Sequence, residues 1–188
     1  ILTLLLLVSN VNFAHSNTDN NDPEKDKVLI NVLNYMLTRG HFVEKRMDDN
    51  FSEHVFNAFI DGLDPSKRYY TQEDIRVFSK YKYRIDNQLK ESDLSFYNLV
   101  YDKFLTKIKS AKDYYGAILD EPFNYKKKEI IDVDYDKVPY AANENELVDY
   151  WRKQLKLQTI DKIQELESLE EDKAKKDSKY TRRSFKTL

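Results

Sequence analysis

Apolar residues recur at a helical spacing along most of this chain of 188 residues. A period of 3.6 residues predicts amphipathic α-helices, because it places the apolar side chains on one face. The predicted helices begin near Lys27, near Asp49, at Thr71, near Leu94 and at Asn143. We therefore predict an all-α fold, with about five amphipathic helices in an irregular bundle.

The apolar stripes of these helices form the predicted core. The first stripe consists of Val28, Leu29, Val32, Leu33, Met36 and Leu37. The third runs through Ile75, Phe78, Tyr81 or Lys82, Ile85 and Leu89. We predict one continuous third helix, from Thr71 to the polar residues 90–93. Two starts carry capping-box signals, Thr71 with Asp74 and Asn143 with Glu146. In such a box the first side chain accepts a hydrogen bond from the second residue's backbone N–H, and the second side chain reaches back to the first residue's N–H.

One segment follows a different period. Ile131, Val133 and Tyr135 alternate with Asp132, Asp134 and Asp136. A period of two is typical of an extended chain with two unlike faces. We predict one short extended segment over about residues 123–140, closed by Pro139; a short edge strand is one form that it could take.

The stretch "FIDGLDPSKRYYTQEDI", residues 59–75, interrupts a chain that has only three glycines and four prolines. Its polar side chains would suit an active-site loop. We interpret it as a helix–turn–helix corner, because Gly62 and Pro65 favour a turn and a capped helix follows. Tyr69 or Tyr70 is expected to place an aromatic ring between the helices.

The N-terminus predicts export. Residues 1–8 form an apolar run that is too short to cross a bilayer but matches the apolar region of a signal peptide. We expect residues 1–16 to be a signal peptide that is truncated at its N-terminus, with cleavage after Ser16. Residues 17–27 are a predicted mobile linker, 28–170 a helical domain, and 171–188 a charged segment.

Composition narrows the function classes. The net charge of −2 gives no broad attraction to nucleic acid, and no stable membrane anchor is predicted. The absence of cysteine excludes disulfides, zinc–thiolate sites and cysteine nucleophiles. The three histidines, His15, His41 and His54, have no ligand spacing.

Three motifs resemble functional sites but are not interpreted as such. Asp132, Asp134 and Asp136 resemble the start of a calcium loop, but Lys137 and Asn143 stand where such loops need glycine and glutamate. Ser79 and Lys82 fit the S-x-x-K nucleophile pattern in mid-helix, without its partner motif. The basic run of residues 126–128 is interpreted as a solvated turn. We predict no catalytic residue, metal or cofactor in this chain.

The order of the segments resembles a known family. "FSEHVFNAFIDGLDPSKRYYTQEDIRVF" is similar to the N-terminal helical domain of the tail-specific, or carboxy-terminal processing, serine proteases of the bacterial envelope. The similar features are Leu63-Asp64-Pro65-Ser66, Tyr69-Tyr70 and Asp74-Ile75. "SDLSFYNLVYDKF" and the region from Glu121 to Lys156 resemble the segments that follow, so the resemblance covers roughly residues 31–166.

The resemblance implies a longer parent. The family places a PDZ module, which captures substrate C-termini, and a Ser-Lys protease domain after this domain. The catalytic residues would then lie beyond Leu188, and Ser79 and Lys82 are not their counterparts. Expected partners are protein substrates with exposed C-termini, the parent's own PDZ and protease core, and an adaptor protein, all in the periplasm. The alternatives are a free-standing secreted helical binding module and a small enzyme that uses Asp132 and Asp134.

Overall fold

The computed structural model describes residues 23–40 and 46–185, and this part of the chain is helical without a β-strand. Its helices are α1 (Pro23–Tyr35), α2 (Asp49–Leu63), α3 (Gln72–Phe78), α4 (Ile85–Glu91), α5 (Ser95–Leu119) and α6 (Glu144–Lys176). A π-helical turn, Met36–Gly40, extends α1, and a 3₁₀ turn, Ser79–Tyr81, follows α3. The predicted all-α class is confirmed, with six α-helices where about five were expected.

The additional helix comes from a break that the sequence did not predict. The expected continuous third helix is divided into α3 and α4 by the 3₁₀ turn and residues 82–84. The break leaves the backbone N–H of Asp86 without a helical partner, and the Ser52 hydroxyl of α2 accepts it at 2.9 Å. The same hydroxyl donates to the Asp86 carboxylate, also at 2.9 Å. A buried contact with α2 therefore determines where α4 begins.

Residues 123–140 are non-helical, as the predicted extended segment requires, but they form no edge strand. Residues 120–143 connect α5 to α6 through turns and irregular chain, and the isolated parallel bridge of this segment joins Ala141 to Thr71. The segment is held by side chains of α6, whereas a β-strand would be held by backbone hydrogen bonds to a partner strand. Glu129 accepts hydrogen bonds from Arg152 and Lys156, and the Lys156 ammonium also donates to the Asn124 carbonyl at 2.8 Å.

The core lies between α2, α3, α4 and α5. Its buried members are Phe56, Ile60, Tyr70, Phe78, Ile85, Phe96 and Val100. Aromatic rings supply much of it: the Phe56 and Phe96 rings stack with their centroids 5.4 Å apart. Burying each large side chain contributes roughly 1.5–3 kcal/mol, so this cluster dominates the stability of the bundle.

Helix α1 differs from its prediction in where it begins and in the burial of its apolar stripe. It begins at Pro23, within the predicted linker, and the rest of that linker and the predicted signal peptide lie outside the described residues. Its apolar stripe is mostly exposed, since Ile30 is the α1 residue that is buried. The expectation that this stripe packs into the core is therefore wrong.

Candidate functional site

The corner between α2 and α3 is organised by one buried carboxylate. Asp64 is 1% exposed and accepts backbone N–H groups from Arg68 at 2.7 Å, Tyr69 at 3.0 Å and Tyr70 at 2.9 Å. Burial raises the pKa of the Asp64 carboxyl, while these three donors act in the opposite direction. The carboxylate therefore holds the turn in a single shape.

The two tyrosines of the corner insert between different helices. Tyr70 is fully buried, its ring meets Phe78 edge to face at 5.1 Å, and its hydroxyl donates to the Val100 carbonyl at 3.0 Å. The Tyr69 ring contacts Phe104 of α5 at 5.2 Å and Trp151 of α6 at 6.0 Å. The predicted aromatic insertion is confirmed, and both tyrosines contribute to it.

Helix α6 reaches the corner from the other side. The Trp151 indole N–H donates to the Arg68 carbonyl at 2.8 Å, and the Arg68 guanidinium lies over the indole ring. The Tyr150 hydroxyl donates to the Ser66 carbonyl at 3.3 Å. The corner thus joins α2, α3, α5 and α6 through structural contacts, although the buried Nε of Arg68 has no hydrogen-bond partner among the described residues.

The capping box that follows the corner is confirmed and continues into an ionic cluster. The Thr71 hydroxyl accepts from the Asp74 N–H, and the Asp74 carboxylate accepts from the Thr71 N–H. Lys107 of α5, itself buried, pairs with Asp74 at 3.1 Å and with Glu144 of α6. Burial raises the pKa of Asp74, but hydrogen bonds from Thr71 and Lys107 outweigh it and lower the pKa overall. This cluster is also structural.

The second predicted cap forms in part. The Asn143 side chain accepts from the Glu146 N–H at 3.1 Å, as expected at the start of α6. The Glu146 carboxylate accepts from the Ala142 N–H and not from the Asn143 N–H. The start of α6 is therefore capped by one half of the predicted box.

We expect Pro65→Ala to lower the free energy of unfolding by about 0.4–1 kcal/mol. Pro65 occupies the turn closed by the Lys67 N–H and the Asp64 carbonyl at 3.1 Å, and alanine would leave the unfolded chain more freedom to lose. Urea denaturation followed by circular dichroism measures the change. Ser66→Ala is the control, since it leaves backbone freedom unchanged; an equal loss in both variants would contradict this account.

An apolar groove lies on the side of the bundle that α1 covers. It has a volume of about 340 Å³ and is lined by α1, α2, α4 and α5. Its lining residues include Leu33, Leu37, Phe51, Val55, Phe59, Leu89, Leu94 and Tyr97. A cavity of about 150 Å³ can hold one benzene, so this groove is large enough for roughly two bulky apolar side chains.

Exposed apolar residues lie on two of the helices that line the groove. On α1 and the π-turn these are Val28, Leu29, Val32, Leu33, Tyr35 and Met36, each between 47% and 64% exposed. On α5, Tyr97 and Tyr101 stack at 5.6 Å beside the groove and are partly exposed. Several exposed apolar residues near a groove are typical of an interaction surface. We call this surface, the groove with its α1 and α5 rims, the apolar face.

Comparison with known proteins identifies the family. The family model described as "Tail specific protease N-terminal domain" matches residues 32–188. This chain belongs to the tail-specific protease family. A relative, the "Tail-specific protease" of Haemophilus influenzae, is 28% identical over 145 residues, which are 77% of this chain and 21% of the relative. The chain therefore spans about a fifth of the length of the curated relative it matches.

The residues that carry the resemblance to the tail-specific protease domain lie in the corner, and the structure shows their structural role. Leu63-Asp64-Pro65-Ser66 ends α2, Tyr69-Tyr70 fills the space between helices, and Asp74 closes the cap of α3. In this chain, these residues hold the helices of the bundle together. The apolar face was missed, since the α1 stripe reads in sequence like any buried helix stripe.

Ser79 and Lys82 do not form a dyad in this tail-specific protease domain. The Ser79 hydroxyl donates to the Ile75 carbonyl at 2.8 Å, and the Lys82 ammonium pairs with Glu53 at 2.8 Å. A lysine base must be neutral, whereas the hydrogen bond from Lys82 to Glu53 raises the pKa of this lysine. The two side chains therefore have separate structural roles.

The remaining candidate residues lie on the surface. Asp132, Asp134 and Asp136 are exposed, and Asp134 pairs with Lys137 at 2.5 Å. His54 is exposed, whereas His15 and His41 lie outside the described residues. Residues 126–128 are exposed in a turn, and Lys127 pairs with Glu129. Within residues 23–40 and 46–185, no three or more His, Cys, Asp or Glu residues are grouped so that they could hold a metal ion.

Across the part of the chain that the structure describes, no helix has both the length and the apolarity needed to cross a membrane.

Proposed function

We propose that this chain is the non-catalytic N-terminal domain of a periplasmic tail-specific serine endopeptidase, which processes or degrades proteins from their C-termini. The observation that carries the proposal is the match of residues 32–188 to the N-terminal domain of this family. In this proposal the domain is a scaffold that cradles the PDZ and protease core and helps to admit substrate. An adaptor protein is a further proposed partner.

The geometry supports a scaffold role in two ways. Two polar side chains of the corner, Asp64 and Tyr70, are engaged in hydrogen bonds that hold helices together. The apolar face, by contrast, is exposed and large enough to receive bulky side chains. A helical bundle that exposes an apolar surface is suited to binding another part of a protein.

The occupant proposed for the apolar face is the remainder of the parent polypeptide. The matched relative continues for about four fifths of its length outside the region shared with this chain, so a large covalently linked partner is implied. Linkage keeps that partner at a high local concentration, so a modest apolar contact is sufficient to bind it.

The proposal is tested by comparing this chain with the parent protein encoded by the same gene. Both are incubated with an unfolded substrate that ends in an apolar C-terminus, and with the same substrate ending in charged residues. We expect the parent to degrade the apolar-ended substrate preferentially and this chain to degrade neither. Hydrolysis by this chain alone, or a gene that encodes no protease domain, would favour the alternative of a small enzyme or a free-standing binding module.

We expect Leu33→Glu in the parent protein to slow substrate degradation by about tenfold or more, since a charge would be buried where the apolar face meets its partner. The melting temperature of the 188-residue chain should change little, because Leu33 is 47% exposed. Leu119→Glu is the matched control, since Leu119 is 53% exposed and lies at the end of α5, outside the lining of the groove. Equal activity of the two variants would contradict the proposed use of the apolar face.

A further inference from the structure

The far end of α6 carries a buried carboxylate that no sequence motif singled out. Glu170 is 2% exposed, although it lies among charged residues. It accepts hydrogen bonds from the Tyr180 hydroxyl at 2.8 Å, the Arg183 backbone N–H at 3.1 Å and the Arg183 guanidinium at 3.0 Å. Lys173, one turn further along α6, donates to it at 3.0 Å. Side chains and backbone from residues 180–183 thus converge on one group.

These contacts show that the chain reverses after α6. The helix ends at Lys176, and the Asp177 carboxylate and carbonyl accept the N–H groups of Lys179 and Tyr180 in a tight turn. The chain then runs back beside the last turns of the helix, where Arg182 pairs with Glu171 at 2.7 Å. We call residues 177–183 the strap.

The strap covers a part of α6 that the rest of the bundle does not. Between Lys156 and Glu170, no residue of α6 is buried. The 33 residues of α6 extend over about 50 Å, so its far end projects from the corner to which Trp151 is bound. Helix ends without packing fray readily in water, and Glu170 with the strap supplies the burial that is missing here.

We infer that Glu170 is a latch that fastens the strap to α6 and so determines the direction in which the chain leaves the helical domain. In this arrangement α6 is a rigid rod with the corner at one end and the latch at the other. Any effect of the latch on the position of a following domain rests on the proposed function, because it requires a parent protein whose polypeptide continues beyond the strap. The latch itself concerns this chain alone.

The chemistry of the site favours Glu170 over its neighbours as the latch. Hydrogen bonds from Arg183, Tyr180 and Lys173 lower the pKa of Glu170, so the carboxylate stays ionised at neutral and mildly acidic pH. Glu171, the next residue, is 54% exposed and meets the strap through Arg182 at the surface. Exposed pairs of this kind contribute little, whereas a buried carboxylate with four donors is specific in geometry.

The test is hydrogen–deuterium exchange of the 188-residue chain, read on the peptide spanning residues 177–185 and on the last turns of α6. We expect Glu170→Gln to raise the exchange rate in both places by about tenfold or more, while Glu171→Gln leaves both near wild type. Tyr180→Phe, which removes one donor and cannot unfold the helix, should give an intermediate increase on the strap alone.

Two results would overturn the latch. One is wild-type protection of residues 177–185 in Glu170→Gln, and the other is equal loosening by Glu171→Gln, which would assign the contact to general surface charge. Since the readout uses neither substrate nor protease domain, it succeeds or fails independently of whether the parent is a protease.

Discussion

Tyr70→Ala is expected to lower the free energy of unfolding by about 3–5 kcal/mol, the cost typical of deleting a buried aromatic side chain. Tyr70 is fully buried, and its ring touches Phe78 of α3 and Phe104 of α5. No neighbouring element can close the cavity without moving one of these helices. Since domains are stable by only about 5–15 kcal/mol, the variant should be partly unfolded in mild denaturant.

Equilibrium denaturation in urea measures this loss of stability. Two further variants serve as comparisons. Tyr70→Phe keeps the ring and removes only the hydrogen bond to the Val100 carbonyl, so it should cost about 0.5–1.5 kcal/mol. Tyr115→Ala removes a tyrosine of α5 that is 44% exposed and should have a small effect. A Tyr70→Ala protein as stable as Tyr115→Ala would show that the core does not depend on this ring.

Asp64→Ala is expected to lower the free energy of unfolding by about 2–4 kcal/mol, because three backbone N–H groups lose a charged acceptor. The Tyr70 N–H is buried and has no replacement from water. The loss should also loosen the contact of α6, since Trp151 donates to the carbonyl of Arg68 within the same turn.

Urea denaturation measures the loss of stability. The near-ultraviolet circular dichroism of Trp151, the single tryptophan, measures the loosening of the α6 contact. Asp64→Asn removes the charge and keeps one acceptor oxygen. Its NH2 group replaces the other oxygen and cannot accept a hydrogen bond from the backbone N–H groups, so this variant should recover only part of the stability. Asp61→Ala, at an exposed position one turn earlier in α2, is the control and should change stability by less than about 0.5 kcal/mol. Equal losses at both positions would remove the special role of Asp64.

Local signals in the sequence predicted the parts of the fold that depend on neighbouring residues. The cap at Thr71 and Asp74 could be recognised because its hydrogen bonds close within one helical turn. The corner could be recognised because Gly62, Pro65 and the following cap act on the same short stretch. The family resemblance was carried by these same local features, and the match of residues 32–188 confirmed it.

The candidate sites depended on contacts that no local pattern carries. The break before α4 is determined by Ser52, which is 34 residues from Asp86 in sequence. The segment predicted to be extended is held by Glu129 through Arg152 and Lys156, which lie 23 and 27 residues away. Its alternating residues would suit a strand, but a strand also needs a partner strand, and the structure supplies α6 in its place.

The sequence by itself determined the helical class, the capped corner and the family, since helix periodicity, turn residues and capping pairs act over a few residues. The tertiary structure alone decided which apolar stripes are buried and which charged residues are functional candidates. Val32 of α1 and Phe56 of α2 follow the same pattern, yet one is half exposed and the other is in the core. Glu170 and Glu171 are identical in sequence character, and only the strap buries one of them. Burial depends on which surfaces meet, and that is settled by packing between distant segments.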